Sequence, residues 1–140
     1  MKKYNFDTEK SKVVYEHCGD MLQVKECYNN VFKVVTEYIP KFRCGLWRVA
    51  YGYMKIFDNL YCRHCFVIDE NNKVIDPTLY TTERKDIDDK EHFVSYIFDD
   101  INAYFEAVEV NDFMPSLEYY LREYDAQARE WATENGYILI

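Results

Sequence analysis

The hydrophobic period of this chain changes twice, and those changes limit its fold more than any other feature. From about Asp20 to Tyr38, apolar residues (Cys27, Val31, Val34/Val35, Tyr38) recur at steps of three and four, as on one helix face, and Pro40 halts the run. Over 46–69 the period falls to two. Residues 46–57 are aromatic and β-branched, and Asp58-Asn59 is a turn pair. Over 60–69, Cys62, His64, Phe66 and Ile68 alternate with Arg63, Cys65, Val67 and Asp69. Glu70-Asn71-Asn72-Lys73 reads as a hairpin turn and Val74-Ile75-Asp76 as a short strand ended by Pro77. The pattern predicts a three-stranded antiparallel meander. Residues 81–92 are polar and read as a surface loop. Helical spacing returns near 99–109 and from Pro115 to Asn135, with Gly136 as C-terminal cap and a stripe of Leu117, Tyr120/Leu121, Tyr124, Ala128 and Trp131. The first 19 residues stay open: Phe6–Cys18 suits a helix, Val13-Val14-Tyr15 a strand. Helix, sheet, then helices is an α+β order, expected as one domain over 1–140 with a core at about 20–80 and an acidic helical part at about 95–136.

Composition narrows the chemistry. Four glycines, three prolines and 18% aromatic residues argue against disorder and flexible linkers. The glycines spell neither G-x-G-x-x-G nor G-x-x-x-x-G-K-[ST], and no serine sits in G-x-S-x-G. Residues 1–70 carry 11 basic and 9 acidic side chains, residues 71–140 carry 6 and 16, for a net −8. The acidic half repels phosphate, which argues against nucleic acid and suits a basic peptide or protein partner. No apolar run follows Met1-Lys2-Lys3, so neither a signal peptide nor a membrane anchor is expected. Five cysteines, an odd number, fit a reducing cytoplasmic setting.

Those cysteines invite a metal reading first. Cys62-Arg63-His64-Cys65 is a C-x-x-C, but a structural zinc site needs a second pair, and Cys18, Cys27 and Cys44 lack its spacing. Strand alternation also points Cys62 and Cys65 apart. Asp86-Ile87-Asp88-Asp89 lacks the glycine of a calcium loop. No metal or cofactor is expected.

A nucleophile reading fares better. Cys27, His64 and Asp76 follow one another on a helix, a strand and its neighbouring strand, the parts of a Cys–His–acid triad. Taken alone, each has a plainer role: a buried inert thiol, a core histidine, a turn former before proline. Four local sequences go further. Cys27-Tyr28-Asn29-Asn30-Val31 resembles the Cys-Tyr-x-Asn-Ala helix start of a group of small cysteine-hydrolase-like proteins within the papain-like and transglutaminase-like fold. Tyr51-Gly52-Tyr53 resembles that group's Tyr-x-Gly-Tyr strand, His64-Cys65-Phe66 its His-Ala-Trp, and Ile75-Asp76-Pro77-Thr78 its Asp-Pro-Thr end. The resemblance covers about residues 25–80. It implies a nucleophile helix on a small antiparallel sheet, with Cys27 as nucleophile, His64 as base and Asp76 orienting it, in acyl transfer to water or an amine.

Two local details bear on this. Asp20 and Gln23 form a capping pair that would start the helix at Met21 and leave Cys27 nearly two turns inside, beyond the helix dipole's reach. Gln23 is also the nearby side chain for an oxyanion hole. Bringing Asp76 to the His64 face requires a three-residue hairpin loop or a bulge, which we expect to set Ile68 opposite Asp76; a two-residue turn would set Ile68 opposite Ile75. The alternative function is an inactive domain of the same fold that binds a partner through its acidic face.

Overall fold

The computed structural model describes residues 1–83 and 87–140, so Asp86 of the acidic run lies outside the described residues. In the open N-terminal segment the helix alternative holds: α1 spans Thr8–Cys18 and includes Val13-Val14-Tyr15, and an unexpected strand, β1 (Lys2–Phe6), precedes it. Asp7 separates them by capping the helix, its Oδ1 accepting from the Lys10 N–H at 2.9 Å.

The helix that carries Cys27 starts later than its period suggests. Helix α2 spans Cys27–Glu37, and Gly19–Met21 forms only a 3₁₀ turn. Lys25 takes the left-handed conformation (φ 60°), which no right-handed helix can contain. Glu26 makes no side-chain cap, so tertiary packing holds α2 in place. Buried Val31, Val34 and Val35 each contribute roughly 1.5–3 kcal/mol. Pro40 sits in the first turn of a new short helix, α3 (Ile39–Arg43), where its missing N–H has no intrahelical partner to lose.

Strands β2 (Arg48–Phe57), β3 (Leu60–Ile68) and β4 (Lys73–Ile75) form the expected hairpins. They belong, however, to a six-stranded mixed sheet rather than a small antiparallel one. Strand β5 (His92–Phe98) pairs antiparallel with both β2 and β1, and β1 runs parallel to β4. Since β2 also pairs with β3, five strands close into a ring. Strand β6 (Ile138–Leu139) adds in parallel to the start of β3. The helices of the acidic part thus follow a strand, β5, that belongs to the same sheet. Strand β5 escaped the pattern because its run is almost continuously apolar and lacks alternation.

Helix α4 (Ile101–Val110) lies where expected, but α5 begins at Arg122 and ends at Asn135, not at Pro115. Side chains claim the carbonyls that would seed an earlier turn. Asn111 Nδ2 donates to Met114 O and Ser116 O, and Tyr51 Oη donates to Pro115 O at 2.5 Å. Of the expected stripe, Leu117, Leu121 and Ala128 are buried, whereas Tyr120 and Tyr124 are exposed. Gly136 caps α5 in the left-handed conformation.

The ring divides the core. Ala50, Phe66, Ile68 and Val74 pack with Phe6 and Ile97 in one cluster. On the other face Val49, Tyr51, Cys65 and Val67 meet the valines of α2 and Tyr104 and Ala107 of α4. Cys62 and Cys65 thus lie on opposite faces of β3. Among the described residues, no helix is long and apolar enough to cross a membrane.

Candidate active site

Because α2 begins at Cys27, the thiol stands at the positive end of the helix and the Cys27 N–H is among the first-turn amides that the helix leaves without an acceptor. One buried side chain fixes the approach. Asn30 Oδ1 accepts from Gln23 N at 2.9 Å, and its Nδ2 donates to Gln23 O at 2.8 Å and Thr78 Oγ1 at 3.1 Å. The amide mimics a strand partner for Gln23 and ties the loop before Cys27 to the segment after Asp76.

Asp76 reaches the same place through the hairpin. Val67 pairs with Ile75 and Ile68 with Val74, leaving a three-residue loop of Glu70, Asn71 and Asn72. Asp69 Oδ1 accepts from Asn71 N at 2.8 Å and Lys73 N at 2.9 Å, and Asn72 takes φ 57°. The loop length is the expected one, although Ile68 faces Val74, not Asp76. Continuing the register sets Asp76 beside Phe66, on the His64 face. The Asp76 N–H donates to Ser11 Oγ at 2.9 Å, and Ser11 Oγ donates to Asp7 O at 2.6 Å.

His64, 6% exposed, places Nε2 2.7 Å from Asp76 Oδ2. Cys27 lines the same cleft as His64, whose Nε2 is taken up by Asp76. Burial opposes a charge on His64, but Asp76 and Cys27 outweigh it and hold its pKa well above the ordinary value. Asp76 is likewise buried, yet His64 and His92 hold its carboxyl far below the usual carboxylate range.

His92 is the residue that sequence reasoning missed. It is fully buried, and its Nε2 lies 2.8 Å from the Asp76 oxygen that His64 uses. Its one local signal is a polar residue at the head of an apolar run; its partner lies just past the end of β4, a strand with which β5 does not pair. Among the described residues, His64, Asp76 and His92 have potential metal-ligand atoms within 4.8 Å of one another. A cation there would break both hydrogen bonds and move the Nε2 protons to Nδ1. On His92, Nδ1 is buried with no partner. The donor set suits a hydrogen-bonded chain better than a metal.

Cys27 and His64 open into a cleft of ≈ 280 Å³ with Val24, Lys25, Met54, Cys62 and Leu79 among its walls. Gln23, whose side chain is exposed, does not line it. On the other side of His64, Tyr28, Tyr53, Arg63, Leu117 and Asp125 enclose a smaller space of ≈ 30 Å³. Burial raises the pKa of Cys62, that of Cys65 well above the ordinary value, and that of Cys18 to about 11.

No protein-family model matches this chain, and neither does any curated protein or solved structure.

Proposed function

We propose that this chain is a cysteine-dependent acyl-transfer enzyme of papain-like or transglutaminase-like type, acting on an amide or related acyl bond. One observation carries the reading: His64 bonds Asp76 at 2.7 Å through one ring nitrogen and lines one cleft with Cys27, the first residue of a helix. His64 takes the Cys27 proton, and the thiolate attacks the acyl carbon. The Cys27 N–H is the donor assigned to the oxyanion; Gln23, clasped by Asn30 and outside the cleft, is not used. Collapse of the intermediate breaks the C–N bond as the His64 imidazolium gives its proton to the leaving amine. Water or an amine then attacks the thioester carbon, His64 takes its proton, and Cys27 leaves as thiolate.

Iodoacetamide labelling mapped by mass spectrometry from pH 5 to 9 tests the reading. At about pH 6, Cys27 is expected to react at least about 10-fold faster than Cys18, Cys62 and Cys65, whose thiols burial keeps protonated. His64→Ala should remove that lead at pH 6 and change little at pH 9. Labelling of Cys27 that is indifferent to His64→Ala would make it a core residue and end the enzyme reading.

A further inference from the structure

We propose that His92 is a positioning residue of this site, its Nε2–H fixing the Asp76 carboxylate in the one orientation that serves His64. The inference rests on the acyl-transfer reading. His92 packs against Phe6 and Phe66, ring centroids 5.4 and 4.9 Å away, with the His64 ring at 6.1 Å. Among the described residues its hydrogen-bond partner is Asp76 Oδ2, at 2.8 Å. Asp76 Oδ1 is buried and has no hydrogen-bond partner among the described residues, so it does not restrain rotation of the carboxylate. The two imidazoles at Oδ2 do. Without His92, His64 is the only group holding the carboxylate, and each becomes free to swing with the other.

The protonation state follows from the same geometry. His92 Nδ1 is buried and has no partner among the described residues, so a proton there would find no acceptor among them. The ring must therefore carry its proton on Nε2 and stay neutral. The groups facing it agree: burial, His64 and Lys90 all disfavour a charge, Asp76 alone favours it, and its pKa lies below the ordinary histidine value. The groups facing His64 are Asp76 and Cys27, with Cys62 nearby. A neutral donor orients the carboxylate while leaving its negative charge for the His64 imidazolium.

Two measurements on the full chain test this. In ¹⁵N-histidine NMR, His92 should show a bare Nδ1 and a protonated Nε2, without titrating between about pH 5 and 9. His92→Phe should keep the fold by circular dichroism, slow Cys27 labelling by iodoacetamide about 10-fold at pH 6, the effect of one unit in the His64 pKa, and stay within about twofold at pH 9. His92→Gln, whose amide N–H can meet Oδ2, should recover to within about threefold of the wild type at pH 6. Wild-type rates at every pH in His92→Phe, or equal slowing in Gln and Phe, would overturn the role. If His92→Phe does not fold, the spectrum decides, and a protonated Nδ1 or a titration in that range overturns it. Failure of the acyl-transfer reading looks different: wild-type Cys27 shows no lead at pH 6 whatever stands at position 92.

Discussion

Asn30 decides where Cys27 stands. It is fully buried, and its three hydrogen bonds join the Gln23 backbone to Thr78, thereby joining the two chain segments that deliver Cys27 and Asp76. Asn30→Ala should lower stability by about 2 kcal/mol, since it removes bonds inside the protein and fills nothing. A shifted urea midpoint would read this, together with slower Cys27 labelling at pH 6. Asn29→Ala is the control. Among the described residues its exposed side chain meets the Glu26 carboxylate, and its loss should change stability by less than about 0.5 kcal/mol. Equal effects of the two would mean that the clasp does not hold the loop.

At the scale of elements, the closed ring depends on how closely β5 approaches β2. A Cβ at Gly52 would overlap the Phe93 carbonyl. The register slips there, Tyr51 pairing with Tyr96 and Gly52 with Val94, so Ser95 is the extra residue and its hydroxyl donates to Tyr51 O at 3.0 Å. Because backbone and not a flexible side chain blocks the space, Gly52→Ala should cost about 3 kcal/mol, at the top of the overpacking range, as measured by urea unfolding. A near-neutral result would mean that the strands separate freely. The β3–β4 turn makes a gentler case. Asn72 sits at φ 57°, so Asn72→Gly should be tolerated, while Asn72→Val should cost roughly 1–2 kcal/mol.

For the molecule as a whole, stability should fall on both sides of neutrality. Asp76 and Asp125 have folded pKa values below those of the unfolded chain. Against the opposing effect of burial, Arg63, Tyr53 and Arg129 hold Asp125 at about 2. Such groups stabilise the fold above an unfolded pKa of about 4, and the contribution disappears as pH falls through the folded value. His64 has the opposite sign. Its contribution is complete below about pH 6.5 and is lost as pH rises through its raised folded value. His92, held neutral, works against His64 as pH falls below about 6.5. Thermal unfolding of Asp125→Asn should therefore show a deficit at pH 7 that closes towards about pH 2, and that of His64→Phe a deficit that closes on the alkaline side. A deficit for Asp125→Asn that stays constant from pH 7 to 2 would show that charge is not what holds α5 to β3.

The sequence by itself determined the valine face of α2, the β2–β3 hairpin, the α4 segment and the Gly136 cap, because each is written in residues a few positions apart. It also held the hairpin condition: Asp76 can face His64 only across a three-residue loop, since side chains alternate with a period of two. What lies between distant segments was decided by tertiary structure. Helix α2 begins at Cys27 and not Met21 because Lys25 turns left-handed and Asn30 reaches back to Gln23. The sheet closes because β1 and β5 insert between β2 and β4, pairings that no local period encodes. His92 meets Asp76 only inside that closed ring, where a carboxylate excluded from water can be satisfied by nothing but the side chains the fold brings to it.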